Sequence, residues 1–234
     1  MTRESILITG SSKGLGRELA LVFADNGFNT ILHGRNANAL KSLRRTILQK
    51  GRSCKIVRGD IRTAGTITRL FNTAAEADVS VLINNAVLKC PHLPLEKMDD
   101  RKIVEILETN LIAPIKLTRR LYGLFCNNGR GTIININSLS GLEPQYLRSI
   151  YCASKWGLRG FTNSFRIEAE KHNVRIIGVY PSTIKIGPKI TYGMEPAWVA
   201  RKIYAAYRNQ KCAGLKLDNR PNKKRWSEGL CELH

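Results

Sequence analysis

The sequence predicts an α/β fold, a doubly wound parallel sheet in three layers with helices on both faces. Three observations predict it. Short β-branched runs alternate with longer amphipathic stretches along most of the chain, which is the pattern of βαβ units. The runs lack polar alternation, as strands buried on both faces do. The first run leads through a glycine-rich turn, Thr9-Gly10-Ser11-Ser12-Lys13-Gly14-Leu15-Gly16, into a helical pattern.

In chain order, residues 5–9 (SILIT) read as the first strand, and Leu15, Leu19, Val22 and Phe23 form a helical stripe after the turn. Strand runs follow at 29–33, 53–57, 79–83, 132–136 and 174–180, with Gly214–Leu217 as a last edge strand. Helical stretches fall near 37–50, 63–77, 99–126, 149–172 and 195–209. Pro114 lies inside the fourth of these and predicts a kink or a split there, because proline has no N–H to donate. Right-handed crossovers between parallel strands wind the sheet in both directions. The stretch 181–195, with Pro181, Gly187, Pro188 and Gly193, reads as a loop leaving the C-terminal edge of the sheet, where ligands bind in such folds. Without a repeat or a linker, residues 1–234 are expected to form one domain, ending in a polar basic tail over 211–234.

A chain of 234 residues buries roughly 70% of its unfolded surface and needs no disulfide or metal to fold. No apolar run approaches the ~20 residues that span a bilayer. The first strand follows the N-terminus without a signal-peptide pattern. The six cysteines are scattered without C-x-x-C spacing, so they are expected to be reduced thiols in a cytoplasmic protein. The four histidines are equally dispersed, and no metal site is expected. The charge asks for an explanation. Lys and Arg number 38 against 18 Asp and Glu, a net +20. Such an excess points to nucleic acid or another polyanion. Its densest block is residues 35–69, with ten basic side chains and Asp60 alone against them.

The glycine-rich turn lets the backbone approach a pyrophosphate, while the helix after it offers free N–H groups and a positive dipole end. The second strand ends His33-Gly34-Arg35-Asn36. An acidic residue at that edge would bond the ribose 2′-hydroxyl of NAD, whereas Arg accommodates the 2′-phosphate of NADP. With Arg35 there and Lys13 inside the turn, NADP(H) is expected over NAD(H). Tyr151 and Lys155 stand four apart in a helical stretch, hence on one face. A neighbouring ammonium stabilises a phenolate, which brings proton transfer by Tyr within range of neutral pH. Ser138, at the end of the fifth strand run, offers a second hydroxyl to hold a carbonyl oxygen. Asn110, unfavourable inside a helix, is read as the anchor of a water between Lys155 and solvent.

Together these residues resemble the short-chain dehydrogenase/reductase family, in its single-domain type with a Rossmann-type sheet. The resemblance rests on Thr9-Gly10-x-x-x-Gly14-x-Gly16, Asp60, Asn84-Asn85-Ala86, Asn110, Ser138 and Tyr151-x-x-x-Lys155, and covers residues 5 to about 185. It implies that Tyr151 is the general acid or base, that Lys155 lowers its pKa and binds the nicotinamide ribose, that Ser138 orients the carbonyl, and that Asn110 completes a proton relay. It implies a cofactor bed of Gly10, Ser12, Lys13, Gly14, Leu15, Gly16 and Arg35, with Asp60 and Ile61 by the adenine, Asn84 and Ala86 near the cofactor, and Pro181 and Ile184 at the nicotinamide. It implies a homodimer or homotetramer paired through the two long helices. The chain departs from the family at Val87, Ser182 and Ile186, where glycine, glycine and threonine are usual.

The expected function is therefore NADP(H)-dependent interconversion of a carbonyl and a secondary alcohol, on a small-molecule substrate and without a membrane. A 3-oxoacyl thioester on an acidic carrier protein is a second candidate, because Arg119, Arg120, Arg159 and Arg166 would steer such a partner. The alternative from another class keeps the reductase fold but binds nucleic acid without turnover, using the basic residues around Trp226. It leaves Asn110, Ser138, Tyr151 and Lys155 without a purpose and is the lesser reading.

Overall fold

A computed structural model describes residues 4–185 and 192–220. Seven strands, β1 (Ser5–Ile8), β2 (Asn29–Gly34), β3 (Cys54–Arg58), β4 (Val79–Asn84), β5 (Gly131–Ile136), β6 (Val174–Pro181) and β7 (Gly214–Leu217), form a parallel sheet in the order β3-β2-β1-β4-β5-β6-β7. The expected runs became strands, Gly214–Leu217 included. The helices are α1 (Gly14–Asp25), α2 (Ala37–Gln49), α3 (Ala64–Glu76), α4 (Asp100–Leu107), α5 (Ala113–Asn127), α6 (Ser149–Glu170) and α7 (Pro196–Arg208).

Period-two alternation along the strands divides the core. Ile6 and Ile8 face one side with α1, α2 and α7, while Leu7 faces the other with α3, α5 and α6. The order in which strands are added reverses at β1 and β4, since β2 and β3 lie on one side of β1 and β4 to β7 on the other. That switch opens a crevice at the strands' C-terminal ends.

The long fourth helix is split as Pro114 suggested, but the break precedes the proline. One π-helical turn, Glu108–Ile112, separates α4 from α5, and Pro114 sits in the first turn of α5, so the carbonyl a turn earlier receives no N–H from it. Asn110 is buried within the π turn.

A buried polar chain ties the layers behind the crevice. Asn84 Nδ2 donates to Thr118 Oγ1 at 3.0 Å and to Asn135 Oδ1 at 2.9 Å. Asn135 Nδ2 in turn donates to Thr162 Oγ1 at 2.9 Å. Near the last strand, Arg166 donates to the carbonyls of Ile176 and Ala213. Arg220, beyond β7, is held by Glu143 and Asp218, so residues 211–220 of the basic tail are tied to the body. Lys223, Lys224, Arg225 and Trp226 lie outside the described residues, as do Ile186, Gly187 and Pro188. The cysteines that are described, Cys54, Cys90, Cys126, Cys152 and Cys212, are free thiols. Among the described residues no helix is long and apolar enough to cross a membrane.

Asn135→Ala removes both an acceptor for Asn84 and a donor to Thr162 at fully buried positions. Leaving such groups unpaired costs about 1–3 kcal/mol. Urea denaturation should show a lower midpoint with an unchanged slope; an unchanged midpoint would mean the chain contributes nothing to stability.

Candidate active site

The glycine-rich turn is shaped by the protein's own backbone. Gly10 has φ +68°, and a Cβ there would lie 2.8 Å from Ala86 Cα. At Gly16 a Cβ would run into the Gly10 carbonyl. The Thr9 hydroxyl accepts from the Asn85 and Ala86 N–H groups at 2.9 and 3.0 Å and donates to the Ile83 carbonyl. Asn85 Nδ2 answers by donating to the carbonyls of Thr9 and Gly10. Motif reading passes over this clamp, which welds the end of β1 to the end of β4.

Above it, α1 begins at Gly14 with Lys13 in the capping position. No side chain caps it, and its first turn holds no acidic residue. By contrast, α2, α3 and α4 are capped by Asn36, Thr63 and Asp99. Uncapped N–H groups and the positive dipole end fit a pyrophosphate. Ser12 lies against Gly34 at the end of β2. His33 sits beneath, its Nδ1 accepting from Gly10 N–H at 3.4 Å. Burial pushes its pKa down to about 4, so the ring is neutral and adds no charge under the turn.

At the next strand edge Arg35 and Lys13 are exposed, with no acidic residue at the end of β2. The block of positive charge behind Arg35 is partly structural. Arg44 donates to the Cys54 carbonyl, Arg69 to the Arg58 carbonyl, and Lys55 pairs with Glu76. Asp60 accepts from the Arg62 backbone N–H and side chain, and Arg62 also pairs with Glu105 at 3.0 Å. The bonds from Arg62 hold the Asp60 carboxyl below its usual range. Ile61 is 6% exposed and packs into the core beneath α3 and α5.

The catalytic candidates meet where β5 and α6 converge. Tyr151 and Lys155 are 9% and 2% exposed. Lys155 Nζ lies 5.8 Å from the Tyr151 ring centroid and donates to the Ile136 carbonyl at 2.9 Å. Asn137, at the strand end, donates to the Lys155 carbonyl and accepts from the Ser138 N–H. Ser138 caps a short 3-10 turn, its Oγ accepting from the Ser140 N–H. Burial pushes the Tyr151 phenol up, while the Arg148 cation and the Ser138 hydroxyl pull it back. Arg148 was not visible as a site residue in the sequence, yet its guanidinium carbon stacks 4.4 Å above the Tyr151 ring. Lys155 is itself pushed down to about 7 by burial.

Asn110 is placed behind this group. Its Oδ1 accepts from Leu88 N–H at 2.8 Å, and its Nδ2 donates to the Leu88 carbonyl and to Ser154 Oγ. It therefore fixes the segment after β4 against α6. Asn84 likewise turns its amide inward, to Thr118 and Asn135.

A cavity of about 480 Å³ opens over the cluster, lined by Leu15, Asn85, Ser138, Tyr151, Lys155, Pro181 and Ile184 among others. The cavity thus brings six of the predicted site residues, Leu15, Ser138, Tyr151, Lys155, Pro181 and Ile184, to one space, and the turn and Arg35 flank it along the sheet edge. Ile184 pairs with Met194 in a short bridge. Of the family departures, Val87 lines the cavity at 44% exposure. Ser182 donates to Asn219 Oδ1 at 2.7 Å, and Ile186 is not among the described residues. A larger open depression near Tyr204 and Tyr207 lies away from all of these residues.

The family model described as short chain dehydrogenase matches residues 4–191. Mouse "Dehydrogenase/reductase SDR family member 7B" is 33% identical over 192 residues, covering 76% of this chain and 57% of that protein. The chain thus spans little more than half of that relative. "Nodulation protein G" of Rhizobium sp. (strain N33) is 32% identical over 188 residues, covering 79% of this chain and 75% of that one. A metagenomic short-chain oxidoreductase, solved in complex with NADP, superposes with a TM-score of 0.81 at 27% identity, covering 93% and 98% of the two chains.

The buried ammonium sets a pH test. Lys155 binds its proton less tightly folded, near 7, than unfolded, near 10.5. Between those values the unfolded chain holds more protons, so stability rises with pH across that window and the penalty is full below it. Lys155→Met should raise Tm most at pH 6–7, with a gain that shrinks towards pH 10. A gain independent of pH would show that Lys155 is not held at a lowered pKa.

Proposed function

The chain belongs to the short-chain dehydrogenase family, and from that premise we propose that it interconverts a carbonyl and a secondary alcohol with NADP(H). The observation that carries this reading is the convergence of Ser138, Tyr151 and Lys155 on one cavity beside an uncapped helix N-terminus. The N–H groups at the start of α1 fit a pyrophosphate, Arg35 and Lys13 fit a 2′-phosphate, and the cavity between Leu15 and Ile184 fits a nicotinamide. Bound there, NADPH would supply the hydride.

The chain's own residues hold the oxygen and move the proton. Ser138 and Tyr151 present two hydroxyls to a carbonyl oxygen, the geometry of a pre-organised oxyanion site. The phenol, kept protonated by burial, donates its proton to that oxygen as negative charge develops on it. The resulting phenolate lies in the field of Arg148, whose guanidinium carbon is 4.4 Å from the ring centroid, and of Lys155, whose Nζ is 5.8 Å from it. Lys155, with a pKa near neutrality, is suited to return the proton. Asn110 positions this relay by tying Leu88 to Ser154, whose hydroxyl bonds the Tyr151 carbonyl at 2.7 Å.

The carrier-linked variant of the substrate has less support. Arg166 is occupied by the Ile176 and Ala213 carbonyls and Arg159 stacks on Trp156, so two of the four cations are engaged within the fold. Exposed Val104, Ile112 and Trp156 on and beside α4 and α6 support a homodimer or homotetramer through that face.

Purified protein with NADPH and a panel of ketones and aldehydes should oxidise the cofactor, read by the loss of its absorbance. Tyr151→Phe should lower turnover by roughly 10²–10⁴, the range of general acid catalysis; an unchanged rate would sink the assignment. Arg35→Ser should weaken NADPH binding by roughly tenfold or more, as loss of a charge-assisted bond does, and leave NADH nearly unaffected. Equal losses for both cofactors would remove Arg35 from the 2′-phosphate.

A further inference from the structure

Arg148 lies over the phenol and no charge among the described residues answers it. Its side chain donates from Nη1 to Gln145 Oε1 at 2.9 Å. Its Nε is buried without a partner. No described carboxylate pairs with it. A guanidinium offers five N–H donors, and the described partner takes one of them at Gln145.

The surroundings share the bias. Among the described residues the cavity is lined by Lys89, Arg148, Lys155 and Arg220, and by no Asp or Glu. Arg220 is neutralised by Glu143 and Asp218, and Lys155 Nζ is turned to the Ile136 carbonyl. Lys89 is exposed at the rim. Among the described residues, Arg148 is therefore the lining cation that touches the Tyr151 ring and has no carboxylate partner.

Its placement is also built at a conformational cost. Leu147, the residue before it, has φ +57°, a left-handed conformation that side chains other than glycine's adopt under strain. Arg148 then occupies the capping position of α6 with no side-chain cap bond. Strain of this kind next to a catalytic group marks a position fixed for function. An arginine that served only to start a helix would need neither the left-handed turn nor the stack on Tyr151.

We propose that Arg148, supported by Gln145, recognises an anionic group on the substrate, so that the preferred oxo compound carries a carboxylate or similar anion close to its reacting carbonyl. The planar fork of a guanidinium matches such a group, and the stack on the Tyr151 ring places it against the residue that protonates the carbonyl oxygen. This deepens the carbonyl–alcohol reading and rests on it for the identity of the reacting group.

Two experiments separate the ideas. Straight-chain 2-, 3- and 4-oxo carboxylates and their methyl esters are assayed with NADPH on the parent chain, Arg148→Met and Arg148→Lys. The acids should exceed their esters in kcat/KM by roughly tenfold or more, mainly through KM, as a charge-assisted bond gives. Arg148→Met should abolish that preference and Arg148→Lys should restore part of it. Esters that match or exceed the acids in the parent overturn the proposal. So does a Met variant that slows both series by the same factor, which would assign Arg148 to Tyr151 alone. The second experiment needs no turnover: pentanoate is titrated calorimetrically into the parent and Arg148→Met. Binding weakened roughly tenfold or more in the variant supports the anion site, and equal or absent binding overturns it. Should every carbonyl compound fail to react while pentanoate still discriminates, the reductase reading falls and the anion site stands.

Discussion

The site depends on how two diverging strands are closed at their ends. β1 and β4 are neighbours whose chains leave in opposite directions, and the last peptide groups of each would face the crevice unpaired. The Thr9 hydroxyl and the Asn85 amide satisfy those groups reciprocally, with Thr9 taking two N–H donors and Asn85 reaching two carbonyls. Buried peptide groups that lack partners are costly, so the clamp fixes the glycine-rich turn at one height above β4. The start of α1, the position of Arg35 and the near wall of the cavity all follow from that height.

How much was legible depended on sequence distance. Strands and helices are local patterns readable from spacing, whereas the glycine-rich turn and the Tyr151–Lys155 pair gained their meaning from the strands, helices and motifs around them. The clamp joins residues 76 and 77 positions apart, and nothing near Thr9 announces Asn85. Arg148 was hidden for a different reason: its stack on Tyr151 depends on a left-handed leucine, a conformation that leucine's own propensity argues against. Asp60 could be located but not its partners, because the Arg62–Glu105 contact crosses from the end of β3 to α4.

The charge was the least transparent property. Ten cations in residues 35–69 suggested a field for a polyanion, yet several of them serve neighbouring carbonyls or carboxylates. What sets Arg35 and Arg148 apart from the rest is not the sign of their charge but their place, Arg35 just after β2 and Arg148 over the Tyr151 ring. A net charge sums over both kinds and cannot tell them apart. The buried Lys155 makes the same point from the opposite side: a cation almost fully removed from water, beside a phenol that burial also disfavours ionising, is poised by its surroundings rather than by its type.

The π turn between α4 and α5 has a consequence for phase. An α-helix advances about 100° per residue, so a stripe begun on α4 fixes where every later side chain points. Asn110 must face Leu88 and Ser154, whereas Leu117, Leu121 and Phe125 must face the sheet. In a regular helix Leu117, seven residues on, would point within about 20° of Asn110, so the two would share one face. The wider turn inserts an offset between them, so the two halves are indexed independently, and the polar relay and the hydrophobic layer no longer constrain each other's rotation.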